Sequence, residues 1–256
     1  MYKNILELKT KDRCNYVIEI SPNNNNIFLS LNEQGYILPK EDFLLLDEQK
    51  LNTINNSKIP ISLFNLEDTI SNAKFTSDNK NIFIYDYINN KILKEIENKN
   101  KFVYSFCFLS NNKLATGNSN GSIYIYDIET YNKENKIEEH CLLVRNLAFN
   151  NNKNILYSAS DDLHINQIDT NTLKLDSPMV GHKEPISDMV YNEKKKILIT
   201  SSFDGTIKVW DVNGKNNCVD TLVPSNKNPI WDITVSEEGD FIAYTATEGI
   251  GAFTLK

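Results

Sequence analysis

Four aspartates end short apolar segments at nearly equal intervals. They are Asp86, Asp127, Asp169 and Asp211, spaced 41, 42 and 42 residues apart. The segment Ile197-Leu198-Ile199-Thr200-Ser201-Ser202-Phe203-Asp204-Gly205-Thr206-Ile207-Lys208-Val209-Trp210-Asp211 reads as strand, tight turn, strand. The same pattern recurs over residues 155–169 and 114–127, and its last part over Asn81–Asp86. Upstream of two of these hairpins lies a further strand of period 2, Val144-Arg145-Asn146-Leu147-Ala148-Phe149 and Val103-Tyr104-Ser105-Phe106-Cys107-Phe108. A chain that repeats at this period builds one supersecondary unit many times over and buries its apolar faces by packing unit on unit.

Gly181-His182 precedes one such unit, and Glu139-His140 holds the same place one period earlier. With Asp204 and Trp210-Asp211, these residues resemble the WD-repeat family of β-propellers. The resemblance implies an all-β propeller whose blades each have four antiparallel strands, and counting the units along the chain gives six blades. The strand sets fall at about 14–50, 58–98, 102–138, 143–179, 185–223 and 229–256 in a single domain. The last set stops after its third strand, and Asn4-Ile5-Leu6-Glu7-Leu8-Lys9 is a spare strand at the other end. In the family an N-terminal strand completes the final blade, and closure of this kind removes exposed sheet edges. Seven blades, the commoner number in the family, would need more than 256 residues at this period. Asn90-Lys91-Ile92-Leu93-Lys94-Glu95-Ile96-Glu97 has the apolar spacing of a helix turn, but its place in the repeat makes it an outer strand.

Composition narrows the function. The net charge of −7, from 27 basic and 34 acidic residues, argues against general or sequence-specific nucleic-acid binding. No run of about 18 apolar residues is present for a membrane span, and the first residues lack the apolar stretch of a secretory signal. A cytoplasmic or nuclear location is therefore expected. The four cysteines (Cys14, Cys107, Cys141, Cys218) are scattered without paired spacing, which predicts reduced thiols, with no disulfide framework and no metal site. Arg13 and Arg145 are the only arginines, too few for the three-arginine carboxylate clamp of six-bladed sialidases. Gly249-Ile250-Gly251 lacks the third glycine and following helix of a nucleotide fingerprint. Neither cofactor nor enzymatic activity is expected.

His182, Asp204 and Thr200 or Ser202 carry the residue types of a nucleophile triad. The family resemblance implies a structural reading instead, in which His182, Thr200, Asp204 and Trp210 hydrogen-bond to one another and fix the blade. His140, Ser158 and Asp162 repeat this set, with Ile168 where the tryptophan would stand. Thr116, Asn120 and Tyr126 are more distant equivalents. The family's geometry also implies an annular face that presents Tyr16, Tyr104, Arg145, Ser187 and Trp231 with Asp161 and Phe203. Phe102, Leu143 and Pro229 lie two residues upstream of three of them. Large aromatics and an arginine gathered on one face have the composition of a protein-binding hot spot.

Over residues 101–256 the blocks Lys101-Phe102-Val103-Tyr104-Ser105, Val144–Phe149 with Ser158-Ala159-Ser160-Asp161-Asp162, and Cys218-Val219-Asp220-Thr221-Leu222 with Ile230-Trp231-Asp232 occur in order. They resemble the small WD-repeat subunits of the Ski (superkiller) complex, which also serve the Paf transcription complex. The resemblance implies a monomeric propeller that acts as a non-catalytic adaptor, holding protein partners in a larger RNA-decay or transcription assembly. Alternative readings are a reader of modified peptides or ubiquitin, or a coat or cytoskeletal propeller. A propeller hydrolase is the remaining rival class.

Overall fold

A computed structural model describes residues 102–110, 112–214 and 216–254 with their side chains. It also describes the backbone of eight further strand segments, including Leu255, together with the side chains of Ile82 and Ile96. In chain order the strands are β1 (Tyr2–Lys9), β2 (Ile18–Ile20), β3 (Asn26–Leu31) and β4 (Gln34–Pro39). Next come β5 (Ala73–Ser77), β6 (Asn81–Asp86) and β7 (Lys91–Glu97). Then follow β8 (Val103–Leu109), β9 (Lys113–Asn118), β10 (Ser122–Asp127) and β11 (Lys133–Glu138). The next set is β12 (Val144–Asn150), β13 (Ile155–Ser160), β14 (His164–Asp169) and β15 (Met179–Val180). It is followed by β16 (Ile186–Asn192), β17 (Ile197–Ser202), β18 (Ile207–Asp211) and β19 (Asn217–Leu222). The last are β20 (Ile230–Val235), β21 (Phe241–Ala246) and β22 (Gly249–Leu255). No helix occurs among the described residues.

Every pairing is antiparallel, and consecutive strands pair within six sheets. Four sheets have four strands and two, β2–β4 and β5–β7, have three. Among the described residues one pairing is long-range, that of β1 with β22, so Tyr2 faces Leu255 and Lys9 faces Gly249 in the order β1-β22-β21-β20. Within the helix-like segment, Lys91–Glu97 is strand β7, paired with β6, because its neighbour in the ladder outweighs its local apolar spacing.

The chain divides into two compact units of three sheets each. One holds β1–β4 and β16–β22, the other β5–β15. Inner strands are buried on both faces, which is why they read as continuous apolar runs rather than clean alternation. In β10, Ile123 and Ile125 pack with Val144, Leu147 and Leu156 of the following sheet, whereas Tyr124 and Tyr126 pack with Ile82 and Ile96 of the preceding one. In the other unit Ile199, Ile207 and Val209 meet Ile230, Ile233 and Ile242. Each aliphatic side chain fully buried in this way contributes about 1.5–3 kcal/mol.

The recurring terminal aspartate has a local cause. Asp127 Oδ1 accepts N–H bonds from Glu129 and Thr130, and Asp169 Oδ1 accepts them from Asn171 and Thr172. Asp211 Oδ1 accepts one from Asn213. Each aspartate closes the turn out of its strand by capping backbone donors that have no ladder partner.

Side chains also tie sheet to sheet. The Asp188 carboxylate on β16 accepts the N–H of Ile233 on β20 at 2.9 Å and its neighbour's N–H, Met189, at 2.8 Å. Asn192 Nδ2 donates to Ser236 O and Glu237 O at 3.0 and 3.1 Å. Replacing Asp188 by Ala strands a buried N–H, so the Asp188→Ala variant is expected to lose about 1–3 kcal/mol. Urea denaturation checks this, with Asp188→Asn, which keeps one acceptor oxygen, expected to fall between variant and parent.

Candidate functional site

The turn joining β17 to β18 is built around a fully enclosed imidazole. His182 Nδ1 meets Asp204 Oδ2 at 3.0 Å and Nε2 meets Thr200 Oγ1 at 2.8 Å, with no side-chain exposure at the ring. Trp210 Nε1 donates to the same Thr200 Oγ1 at 2.9 Å. The donors line up when Trp210 donates to Thr200, Thr200 to Nε2, and Nδ1–H to the carboxylate, which sets the tautomer from the network. Asp204 is then saturated: Oδ2 also accepts Lys183 N–H, and Oδ1 accepts the N–H and hydroxyl of Thr206. Gly205 sits at φ +76, and a Cβ there would stand 2.5 Å from Lys227 O, so only glycine fits this turn.

The other unit repeats the arrangement one period earlier. His140 Nδ1 meets Asp162 Oδ2 and Nε2 meets Ser158 Oγ, both at 2.8 Å. Serine, histidine and aspartate thus stand in the order of a nucleophile triad. Ser158 has no exposed surface, however, and no acyl group can reach its hydroxyl. Ile168, also buried, occupies the tryptophan's place. In the next equivalent, Asn118 Nδ2 bonds Thr116 O at 3.2 Å and Ser122 O at 2.9 Å, and Ser122 Oγ donates to Asn120 Oδ1 at 2.7 Å. Tyr126 is buried there, and burial together with the neighbouring Tyr124 pushes its hydroxyl up to about 12.

Burial by itself would raise the Asp162 carboxyl, but hydrogen bonding from His140, the charge interaction with it and the N–H groups of His164 and Cys141 outweigh that and hold it at about 2. The Asp204 carboxyl lies well below the usual range for the same reasons, with Thr206 and Lys183 as further donors.

The expected surface residues share one structural origin. In β8, Val103 faces Asn118 and Ser105 faces Gly117, leaving Tyr104 as an extra residue. Arg145 in β12, Ser187 in β16 and Trp231 in β20 are extra residues in the same way. Each follows a buried aliphatic residue, Val103, Val144, Ile186 or Ile230. A bulge puts the added side chain outside the in-and-out alternation and re-aims it. A backbone bond braces each bulge: Ser119 N–H to Phe102 O, Asp161 N–H to Leu143 O, Phe203 N–H to Pro185 O and Thr247 N–H to Pro229 O.

Exposure differs along this set. Phe102, Tyr104 and Trp231 are 44%, 55% and 39% exposed, whereas Leu143, Arg145, Asp161, Ser187 and Phe203 are half-buried. In the unit of β16–β22, the Trp231 and Phe203 rings meet edge to face at 4.7 Å, and Trp231 Nε1 donates to Thr247 Oγ1 at 3.1 Å. Ser187 Oγ lies 2.9 Å from Ser201 Oγ. In the other unit, Arg145 is held by both Asp161 oxygens, Nε to Oδ1 and Nη2 to Oδ2 at 3.0 Å. Sequence reasoning places both residues on the surface but not in this ion pair. Tyr16 lies outside the described residues. Among the described residues no group of three or more His, Cys, Asp or Glu side chains could hold a metal ion.

The family model described as "WD domain, G-beta repeat" matches residues 90–127 and 173–211. Both matched segments resemble a WD40 repeat. The first match runs from β7 through β10, so the WD40 unit is offset by one strand from the sheet and links one sheet to the next. Target of rapamycin complex subunit wat1 of Schizosaccharomyces pombe is 24% identical over 151 residues, 58% of this chain and 48% of the relative. WD repeat-containing protein 55 of Danio rerio is 30% identical over 129 residues, 48% of this chain and 33% of the relative. U3 small nucleolar RNA-associated protein 21 homolog of S. pombe is 24% identical over 143 residues, 55% of this chain and 15% of the relative. The chain thus spans about half or less of the length of these curated relatives.

The Asp162 contacts predict acid sensitivity of known sign. A carboxyl with a folded value near 2 and an unfolded value near 3.8 stabilises the fold above about pH 4, and that contribution is lost as pH falls toward 2. Asp162→Asn is expected to be less stable than the parent at pH 6 and to lose less between pH 4 and pH 2. Urea midpoints measured across that window check this; parallel curves would contradict it.

Proposed function

We propose that the chain is a non-catalytic adaptor that holds protein partners within a larger assembly. The observation that carries this reading is the repeated bulge, which presents Tyr104, Arg145, Ser187 and Trp231 from the same strand position in four sheets. Aromatic and arginine side chains fixed in place before binding lose little freedom on contact, which is what a hot spot needs. Trp231 is pinned by Phe203 and Thr247, and Arg145 by Asp161. The names of the relatives support the same reading, since wat1 is named as a subunit of the target of rapamycin complex.

In this proposal the six sheets are blades of a propeller, supported by the 41- to 42-residue period and the β1–β22 pairing. The assembly is of the Ski or Paf kind, supported by the ordered sequence blocks of residues 101–256. The buried hydroxyl–imidazole–carboxylate sets act as turn supports in this account rather than as reaction centres.

The test is recovery of partners with tagged chain expressed in its native cell. Tyr104→Ala and Trp231→Ala are each expected to weaken capture, by about 2 kcal/mol or more for a hot-spot residue, roughly thirty-fold. Arg145→Glu is a poorer probe, because it places two carboxylates against each other. Unchanged partner recovery by a correctly folded double variant would show that these residues are not the binding surface.

A further inference from the structure

Asn120 precedes Gly121 at the tip of the β9–β10 turn, a position where the next two repeats carry Asp162 and Asp204. The side chain of Asn120 is exposed, and its Oδ1 accepts the Ser122 hydroxyl at 2.7 Å. Gly121 has φ +81, and a Cβ there would stand 2.1 Å from His140 O, so this residue is held to glycine. A glycine N–H next to an asparagine carboxamide is the least hindered nucleophile a peptide chain offers to that group.

We propose that Asn120 is a site of spontaneous deamidation, with water as the co-reactant, that converts this turn to the aspartate form of its neighbours. The Gly121 nitrogen attacks Asn120 Cγ, a C–N bond forms, the Cγ–Nδ2 bond breaks, and ammonia leaves with the nitrogen's proton. Water then opens the cyclic imide at Cγ, which breaks the new C–N bond, leaves a carboxylate in place of the carboxamide and restores the peptide. Nothing is oxidised or reduced.

The Gly121 N–H must first leave Asn118 O, which it bonds at 3.2 Å, and two features of the turn then favour this site. The Ser122 hydroxyl already donates to the oxygen that becomes negative as the nitrogen adds. The product also suits the turn. Aspartate at the equivalent positions accepts the N–H of His164 and of Thr206, and the Thr206 hydroxyl corresponds to that of Ser122. Opening on the main-chain side would instead add a methylene to the backbone and displace the Gly121 N–H bond to Asn118 O.

The chain supplies its own control at Asn213-Gly214. There a Cβ on Gly214 would stand 3.0 Å from Asp211 Oδ2, and Asn213 N–H is bound to Asp211 Oδ1. A carboxylate beside the reacting groups opposes the negative charge of the addition step, so Asn213 is expected to react more slowly while the protein is folded.

The experiment is incubation of the purified full chain at neutral pH and 37 °C, with peptide mass mapping over time. Amide-to-acid conversion is expected at Asn120 several-fold faster than at Asn213 in the native chain, with the two converging in urea. The Asn120→Asp variant is expected to fold normally with an unchanged or raised thermal midpoint. No conversion at Asn120, conversion at Asn213 first, or a destabilised Asn120→Asp variant would each overturn the proposal.

Discussion

A strand with one residue more than its partner cannot keep strict in-and-out alternation, and most of what is distinctive here follows from that. The first strands of four sheets each carry such a residue one position after a buried aliphatic anchor. The anchor goes into the core, the extra residue is turned out, and the next residue resumes the ladder. Because pairing is fixed on both sides, the displaced side chain has little freedom. Surface placement of Tyr104 and Trp231 is therefore a by-product of hydrogen-bond register, and the strand can vary that residue without disturbing its core.

Outer strands show the same device with a different result. Glu134, Val219 and Leu93 are extra residues of β11, β19 and β7, each opposite the end of the strand it pairs with. A bulge there twists an edge that would otherwise offer a flat row of donors and acceptors. Behind the bulges, the turns are held by buried polar groups that must be satisfied. His182, Thr200, Asp204 and Trp210 meet this in full. The β21–β22 hairpin uses another solution, stacking Tyr244 on Phe253 at 5.5 Å where Thr200 and Trp210 bond in the neighbouring sheet. A polar chain with its tryptophan, the same chain with Ile168 in the tryptophan's place, or an aromatic pair fills this space in different sheets.

The strand order and the hairpins are legible in the sequence because antiparallel hairpins of fixed length impose a fixed period, and the aspartates that cap their exits mark it. The surface residues are reachable only through the family resemblance. Alternation shows where a strand begins, but not which residue is extra until the partner's register is known. The Arg145–Asp161 pair is hidden for a related reason: two residues sixteen apart meet only once β12 and β13 are aligned. In sequence Asp188 is one more polar residue in an apolar strand, and its bond to Ile233 N–H belongs to the packing of two sheets, which has no local signature.

Hydrogen exchange of the chain, free and bound to whatever protein it co-purifies with, tests whether the bulged strand starts form the partner surface proposed above. Exchange is expected to slow on binding at residues 102–105, 143–146, 185–188 and 229–232, with the outer strands β11 and β19 unchanged. Protection confined to β11 and β19, with the strand starts exchanging as in the free chain, would contradict it.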